Sequence, residues 1–390
     1  MIDFDFVSPT KIYFGSNKEA LIGRICLEGG YKRVLIVIGQ GSVKRNGLLD
    51  RVLASLNDAG IKYKVLEGVR PNPSIDLCHK GIEEAHLFTP NLILAVGGGS
   101  VIDTAKNIAV GYFYPGDSFD FNLHKAKPKN ALPVGVILTI AASGSELSNS
   151  CVIQDDEKQI KRGFNDDLIR PVFAIENPKL MYSLSKTQTA YGVVDIMMHT
   201  LERYFNGSSE NEPADGFAEA LLKSVIKAAK TVINNPTDYD ARAVLMLMSS
   251  LSHNDLTSIG KGKMLFVHQI EHAVSGVYPE VAHAAGLAVL FPAWAKYYVN
   301  YDVDKFNSLA TNVFGLHKAN KMDNAKAGIQ EIEKLFALLG MPKTFKDLDI
   351  DNPDIELLAN LVTNNGEKVI SHPKKDMDKE VVMTIINNCL

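Results

Sequence analysis

The sequence predicts an α/β protein with a doubly wound parallel sheet in its first half and an all-helical second half. Short apolar, β-branched runs alternate with helical patterns up to about residue 176, and long helical periodicities dominate from about Ser185. A chain of 390 residues is long enough for about two domains. We place these domains at residues 1–183 and 184–390, because Pro178 and the change of periodicity fall near this point.

The individual elements follow from the same patterns. Strand-like, mostly apolar runs predict parallel strands at residues 34–38, 62–66, 92–96 and 134–138, and further candidates at 161–164 and 172–175 extend the sheet. Helical spacing of apolar residues predicts connecting helices at 47–56, 75–88 and 101–110. In the second half it predicts helices at 187–204, 214–233, 241–254 and 264–276.

Composition excludes several classes of protein. The net charge of −4 gives no basic excess for binding nucleic acid or an anionic membrane. The longest apolar run, residues 131–142, is shorter than the ~20 residues needed to span a bilayer. The four scattered cysteines suit a reducing compartment, and the acidic N-terminus does not resemble a secretory signal. We therefore expect a cytoplasmic protein with neither nucleic-acid nor membrane partners.

Three turns rich in glycine and other small residues follow predicted strands. We call them the first turn (residues 39–42, GQGS), the second turn (97–100, GGGS) and the third turn (139–146, TIAASGSE). A strand, a glycine turn and a helix present backbone N–H groups and the positive end of the helix dipole to a phosphate. The second turn alone matches neither GxGxxG nor GxxxxGKS, and Ser100 could simply be an N-cap. Together, the three turns predict one crevice for a dinucleotide.

Histidine and aspartate spacing in the second half predicts a metal site. Asp195 and His199 are four residues apart, as are His268 and His272, so each pair shares one helix face. His283 lies 15 residues after His268, far enough to return on the next helix. One carboxylate and up to three imidazoles suit Fe(II) or Zn(II) with a position left open for substrate. The absence of cysteine ligands favours a catalytic ion.

A second interpretation of the same residues is open at this point. Residues 268–272 (HQIEH) match HxxEH, the inverted zinc-peptidase motif, in which Glu271 would be the general base. That interpretation leaves the three turns and the pair Asp195/His199 without a role. A third possibility is a dinucleotide-binding sensor, which would bind the dinucleotide without catalysing a reaction.

Taken together, these residues resemble the iron-containing (metal-dependent, group III) alcohol dehydrogenase family, in particular its butanol-dehydrogenase-like branch. The matching segments run through most of the chain in the family's order and spacing. They are residues 97–106 (GGGSVIDTAK), 139–146 (TIAASGSE), 195–202 (DIMMHTLE), 253–262 (HNDLTSIGKG) and 268–294 (HQIEHAVSGVYPEVAHAAGLAVLFPAW). The resemblance implies a Rossmann-like dinucleotide-binding domain followed by an all-helical metal-binding domain, the dehydroquinate-synthase-like architecture.

The resemblance also implies roles for individual residues. It assigns the metal to Asp195, His199, His268 and His283, and it places His272 near the nicotinamide, where it could carry a proton. Its cofactor contacts fall on Gly39, Ser42, Asn72, Gly98, Gly99, Ser100, Asp103, Thr139, Ser143, Lys161 and Leu180.

The expected reaction is the interconversion of a primary alcohol and its aldehyde by hydride exchange with a nicotinamide. Fe2+ is the expected metal, and the same donor set accepts Zn2+. NADP(H) is expected over NAD(H), because the first turn has Gln40 where NAD-preferring relatives often carry an aspartate. The family further implies a homodimer. The identity of the alcohol is not predicted by the sequence.

Overall fold

The computed structural model describes residues 1–207 and 211–390. The strands among these residues are β1 (Lys11–Phe14), β2 (Arg33–Gly39), β3 (Lys62–Val69), β4 (Leu92–Gly97), β5 (Val134–Leu138), β6 (Ser150–Asp155), β7 (Ile160–Asn165) and β8 (Phe173–Glu176). The helices up to the last strand are α1 (Ile22–Glu28), α2 (Ser42–Arg45), α3 (Leu48–Asp58), α4 (Ile75–Phe88), α5 (Gly99–Gly111) and α6 (Phe119–Asn122).

Helices account for most of the remaining chain. They are α7 (Lys186–Tyr204), α8 (Glu212–Asn234), α9 (Tyr239–Ser252), α10 (Phe266–Val277), α11 (His283–Tyr298), α12 (Val303–Phe314), α13 (Lys321–Leu338), α14 (Ile355–Thr363) and α15 (Lys379–Asn387). The predicted change from alternating strands and helices to an all-helical pattern is confirmed. None of the helices in the described part of the chain is both long and apolar enough to cross a membrane.

The chain divides into two compact units. The α/β unit comprises Val7–Leu184 and Thr237–Asn254, and the helical unit comprises Met1–Phe6, Ser185–Pro236 and Asp255–Leu390. Helix α9 therefore belongs to the α/β unit, although it follows α7 and α8 in the sequence.

The α/β unit contains a six-stranded sheet in the order β1-β8-β5-β4-β2-β3, and every pair of neighbouring strands is parallel. Alternate residues of β2, namely Val34, Ile36 and Ile38, pack with α1 and α3 in one buried apolar cluster. Residues Leu35 and Val37 between them are also fully buried, as expected for a sheet covered on both faces.

One predicted strand belongs elsewhere. Residues 161–164 were expected to extend the parallel sheet, but they lie in β7, which pairs antiparallel with β6 in a separate two-stranded sheet. Only the four polar residues 156–159 connect β6 and β7. A connection this short joins antiparallel neighbours, whereas a parallel pair needs a crossover of a dozen or more residues.

The helical unit is organised around a fully buried tryptophan. Trp294 of α11 stacks on Phe266, the first residue of α10, with ring centroids 6.1 Å apart. Phe205, which caps the C-terminus of α7, packs edge-on against the same indole at 5.5 Å. These aromatic contacts fix α7, α10 and α11 relative to one another, and these helices carry the predicted metal ligands.

Candidate metal centre and nucleotide-binding turns

Helix α7 carries Asp195 and His199. The helix begins with a capping box, in which the Ser185 hydroxyl accepts from the Gln188 backbone N–H and the Gln188 side chain accepts from the Ser185 backbone N–H. The two predicted ligands lie one helical turn apart on one face, and Asp195 Oδ1 is 3.4 Å from His199 Nε2. Both side chains are buried.

His268 and His283 bring their imidazoles to the same carboxylate. His268 lies in the first turn of α10, and His283 is the first residue of α11. Their Nε2 atoms lie 3.8 Å and 3.9 Å from Asp195 Oδ1. The structure therefore brings together the four side chains that the sequence grouped, and we call them the Asp195 cluster (Asp195, His199, His268 and His283).

The donor atoms of the Asp195 cluster fit a divalent cation. Asp195 Oδ1 and His268 Nε2 are buried and make no hydrogen bond with any described residue, although burying a polar atom without a partner is costly. Ligand atoms of Asp195, His199 and His268 lie within 4.8 Å of one another. Because Fe(II) and Zn(II) both accept carboxylate and imidazole donors, either ion would satisfy these atoms.

Two buried carboxylates orient the imidazoles of the cluster. Glu202 accepts a hydrogen bond from His268 Nδ1, and its other oxygen accepts a backbone N–H from the first turn of α10 at 2.6 Å. Glu271 accepts from His283 Nδ1. Because each Nδ1 donates to a carboxylate, each Nε2 lone pair is turned towards the cluster, as in other metal sites with carboxylate–histidine pairs.

Sequence reasoning missed the role of Glu202. The sequence contains a signal for this role, because Glu202 follows His199 by three residues and therefore lies on the same helix face. Glu271 was considered only as the general base of the HxxEH motif. In the structure Glu271 is fully buried and bonds to His283 and to the Ser275 hydroxyl, so its carboxylate holds an imidazole in place. This arrangement argues against the metallopeptidase interpretation.

The carboxylates also change the protonation of His268. Burial alone lowers the pKa of this imidazole, but Glu202 and Asp195 outweigh burial and raise the pKa to about 9. A cation that binds at His268 Nε2 therefore competes with a proton for the same lone pair.

His272 lies one helical turn beyond His268 but is not grouped with Asp195. Its ring centroid is 6.3 Å from that of His268 and 5.8 Å from that of His283. The side chain is partly exposed, whereas Asp195 and His268 are buried. His272 therefore lies beside the Asp195 cluster and reaches solvent, and ligand atoms of His272, Glu271 and His283 lie within 4.8 Å of one another.

The three turns lie side by side in the α/β unit. They follow β2, β4 and β5, which are consecutive neighbours in the parallel sheet, so the turns share its carboxyl edge. Helix α5 begins at Gly99 with Gly98 as its N-cap, and no side chain from the described residues caps its first turn. Ser100 is thus inside the helix rather than its N-cap, and the backbone amides there remain suited to a phosphate.

Glycine is required where the second and third turns meet. A Cβ atom on Gly98 would overlap Ile140, and a Cβ atom on Gly99 would overlap the Ser143 hydroxyl. The Thr139 backbone N–H also donates to the carbonyl of the second turn's first residue at 3.1 Å. The two turns therefore touch each other directly.

The other residues assigned to the cofactor by resemblance are dispersed over the α/β unit. Lys161 Nζ donates to Asn72 Oδ1 at 3.0 Å, and both side chains are buried. Ser42 begins α2 after Gly39 at the end of β2. Leu180 packs in the apolar core together with α1 and α3.

His253, the first residue of the matching segment 253–262, contacts the third turn. Its Nδ1 lies 2.6 Å from the Ser143 carbonyl oxygen, to which it donates. His253 caps the C-terminus of α9, so this bond holds the third turn against that helix. The structure thus connects His253 with the nucleotide turns of its own unit.

Comparison with known protein families adds an independent finding. Residues 9–178 match the family described as iron-containing alcohol dehydrogenase, and residues 189–390 match the C-terminal part of the Fe-containing alcohol dehydrogenase family. Together these matches cover nearly the whole chain.

Individual relatives agree with the family match. NADH-dependent butanol dehydrogenase A of Clostridium acetobutylicum is 40% identical over 94% of both chains. NADPH-dependent aldehyde reductase YqhD of Escherichia coli is 30% identical over 94% of both chains. Among solved structures, NADH-dependent butanol dehydrogenase A from Thermotoga maritima is 34% identical with a TM-score of 0.96, covering 100% of this chain and 99% of that one.

Proposed function

Because this chain belongs to the iron-containing alcohol dehydrogenase family, we propose that the Asp195 cluster is its catalytic metal site. The chain is an NAD(P)H-linked oxidoreductase of alcohols and aldehydes. The names of its relatives include butanol dehydrogenases and an aldehyde reductase, and we propose primary alcohols and their aldehydes as its substrates.

The observation that carries the metal proposal is the pair of buried atoms Asp195 Oδ1 and His268 Nε2, which have no hydrogen-bond partner among the described residues. Glu202 and Glu271 accept hydrogen bonds from Nδ1 of His268 and of His283, and these bonds orient the two Nε2 atoms for a cation. A bound divalent ion supplies Lewis-acid polarisation of the substrate oxygen. We propose Fe2+ as the native ion, with Zn2+ as a competent substitute.

His272 is the proposed catalytic acid and base. Oxidation of an alcohol releases a proton from its hydroxyl, and reduction of an aldehyde requires one. The His272 imidazole is partly exposed and lies next to His283 of the Asp195 cluster. Imidazole titrates near neutral pH, so His272 is suited to exchange that proton with solvent.

The three turns are the proposed dinucleotide site. The N-terminus of α5 offers uncapped backbone amides for the diphosphate. The residues that we propose to contact the cofactor are Gly39, Ser42, Asn72, Gly98, Gly99, Ser100, Asp103, Thr139, Ser143, Lys161 and Leu180. Hydride transfer needs a fixed nicotinamide, so these backbone elements have a positional role.

We propose NADP(H) as the preferred nucleotide. The first turn contains Gln40 and no carboxylate that would repel a 2′-phosphate, and the exposed cation Arg45 follows in α2, whereas Lys44 pairs with Glu67. The relatives are mixed in this respect, since the Clostridium protein is named NADH-dependent and the Escherichia protein NADPH-dependent.

A homodimer in the cytoplasm is the proposed state of the protein. Strand β1 forms one edge of the sheet, and Phe4, Phe6 and Val7 before it are 45%, 43% and 42% exposed. An open strand edge and exposed apolar side chains each favour pairing with a second copy. All four cysteines are buried free thiols, as expected in a reducing compartment. A monomeric mass in sedimentation would contradict the dimer.

The proposed function is tested with purified protein whose metal content has been measured. It is loaded with Fe2+ or Zn2+ and incubated with a panel of short aldehydes and either NADPH or NADH, while the absorbance of the reduced nicotinamide is followed. We expect metal-dependent oxidation of the nucleotide, faster with NADPH. Equal turnover after complete metal removal would contradict the role of the Asp195 cluster.

A further inference from the structure

Helix α5 carries a fully buried lysine that the proposed reaction does not use. Lys106 is 0% exposed, and its Nζ donates to three backbone carbonyl oxygens, those of Ser145 at 2.7 Å, Ser148 at 2.9 Å and Ser150 at 2.8 Å. The hydroxyl oxygens of Ser145 and Ser148 lie at 3.0 Å and 3.3 Å. An ammonium group has three protons, so the three carbonyls satisfy it completely.

Asp103, one helical turn before Lys106, binds the same segment. Its Oδ1 accepts from the Ser145 hydroxyl at 2.6 Å, and its Oδ2 accepts from the Val152 backbone N–H at 3.0 Å. Burial lowers the pKa of Lys106 to about 8 while the Asp103 carboxylate opposes this shift, so the ammonium is charged at neutral pH. We call Asp103 and Lys106 the α5 charge pair. Lys106 is fully buried and Asp103 partly buried. Burying a charge is expensive unless its hydrogen bonds are made, and here both residues make theirs to residues 145–152.

The bonded segment continues the third turn. Residues 145–152 begin inside that turn, whose Ser143 lies against Gly99 at the start of the same helix α5. Helix α5 therefore touches the third turn twice: its N-terminus packs against residues 140 and 143, and the α5 charge pair holds residues 145–152 one to two turns later. A displacement of the segment would alter the distance between the second and third turns.

The other side of the third turn is held independently. The Ser249 hydroxyl of α9 accepts from the Ala142 backbone N–H at 3.0 Å, and His253 donates to the Ser143 carbonyl. Loss of Lys106 should therefore loosen the turn at one end only, and the unit should keep its fold. This is the basis for expecting a binding defect rather than general unfolding.

We propose that Lys106 is a positioning residue for the dinucleotide, and that its buried ammonium, paired with Asp103, holds the third turn at a fixed distance from the phosphate-binding start of α5. The Lys106 ammonium binds three carbonyl oxygens of this segment, as a structural metal ion coordinates carbonyl oxygens. This inference rests on the proposed role of the second and third turns in dinucleotide binding.

The test compares two variants with a matched control. Lys106→Met removes the ammonium while keeping a side chain of similar length, and Ser145→Ala is a milder change that removes one partner of each member of the α5 charge pair. Val52→Ala is the control, because Val52 is fully buried in α3 and belongs to an apolar cluster that contains no residue of α5 or of the segment 145–152. All are full-length proteins, and binding of NADPH and NADH is measured by nucleotide fluorescence without substrate.

Lys106→Met should raise the dissociation constant by about tenfold, the effect of losing one strong charge-assisted hydrogen bond. Ser145→Ala should raise it by about threefold, because Asp103 loses one hydrogen bond while the three carbonyl oxygens still bind the Lys106 ammonium. Amide hydrogen exchange should accelerate in peptides covering residues 141–152 and remain unchanged in α7 and α10, and metal content should match the wild type. Val52→Ala should lower Tm and leave the dissociation constant unchanged.

Unchanged nucleotide affinity in both Ser145→Ala and a folded Lys106→Met would overturn the proposal. Equal weakening by Val52→Ala would also overturn it, because the effect would then be general destabilisation. If Lys106→Met does not fold, Ser145→Ala decides the question by the same two measurements. A wild-type protein that binds neither nucleotide would instead contradict the proposed function itself, and this is established before any variant is compared.

Discussion

The helical unit and the α/β unit build their proposed sites from different groups. The Asp195 cluster consists of side chains from three helices, and two of its imidazoles donate hydrogen bonds to buried carboxylates. The nucleotide turns rely on backbone amides and on small residues that permit close approach. A side-chain site leaves a pattern of residue types in the sequence, whereas a backbone site depends on geometry that few residue types reveal. Mutations in the Asp195 cluster should therefore impair metal binding, whereas mutations in the turns should impair nucleotide binding.

Asp195→Ala and His268→Ala should separate metal binding from nucleotide binding most clearly. Each removes a donor of the metal cluster, so bound metal should be lost and turnover should fall on the order of 10³-fold or more. Nucleotide affinity should be nearly unchanged, because the turns lie in the other unit. Metal analysis, steady-state kinetics and nucleotide titration of the same preparations check this. Full metal content and activity in either variant would refute the cluster as the metal site.

His272→Ala should separate proton transfer from metal binding. We expect the metal to be retained, turnover to fall by about 10²-fold, and the pH profile of kcat to change, since a general acid and base has been removed. His317→Ala is a control, because that histidine lies between α12 and α13. Loss of metal from His272→Ala would show that His272 is a ligand.

Glu202→Gln tests the role of the carboxylate that binds His268 Nδ1. The amide keeps the size of the side chain but weakens the hold on His268 Nδ1, so metal affinity should fall by about 10- to 100-fold. Competition with a chelator of known affinity measures this without any turnover assay. Glu219→Gln is the matched control, since Glu219 accepts from the Tyr204 hydroxyl. Equal affinities of Glu202→Gln and wild type would leave Glu202 without a role in the metal site.

Gln40→Asp tests nucleotide preference at the first turn. A carboxylate there would repel the 2′-phosphate, so the ratio of kcat/KM for NADPH to that for NADH should fall by about tenfold, or ~1.4 kcal/mol. Gln40→Asn, which changes the length without adding charge, should leave the ratio close to that of the wild type. An unchanged ratio in Gln40→Asp would remove the proposed preference for NADP(H).

The smallest effect concerns a buried acid of the α/β unit. Burial and, to a smaller extent, the neighbouring Glu146 carboxyl together raise the pKa of Glu176 to about 8, although a hydrogen bond from the Ser250 hydroxyl opposes them. Because the folded protein holds a proton that the unfolded chain releases, wild-type stability should decline as the pH rises from about 4.5 to about 8. Glu176→Gln removes this proton linkage, so its Tm relative to wild type should increase between about pH 5 and about pH 9.

Thermal unfolding over this pH range provides the measurement for Glu176→Gln. Glu356→Gln is the control, because Glu356 is an exposed carboxylate paired with Lys379. A difference in Tm between Glu176→Gln and wild type that stays constant with pH would contradict the raised pKa of Glu176.

The contrast between the units also explains what could be predicted from sequence. Periodicity predicted the central strands, and i,i+4 spacing found the pairs Asp195/His199 and His268/His272, because helix geometry alone fixes those neighbours. It did not reveal that residues 161–164 leave the main sheet, since strand direction depends on the connection to β6. Spacing also could not show that His283 completes the cluster while His272 lies beside it.

Buried charges were the other feature that the sequence concealed. Lys106 follows the second turn as one lysine among many, and nothing in its neighbours in the chain reveals that its partners lie about 40 residues later, at 145–150. Glu202 differs, because its position one turn after His199 was visible. Long-range partners require the fold, whereas partners on one helix require only the spacing.

Anomalous diffraction from crystals of the iron-loaded protein, measured at the absorption edge of iron, tests the central claim most directly. The account predicts a single strong peak within coordination distance of Asp195 Oδ1 and of Nε2 of His199, His268 and His283. A peak bounded instead by Glu271 and His272, or the absence of any peak at the Asp195 cluster in catalytically active crystals, would contradict it.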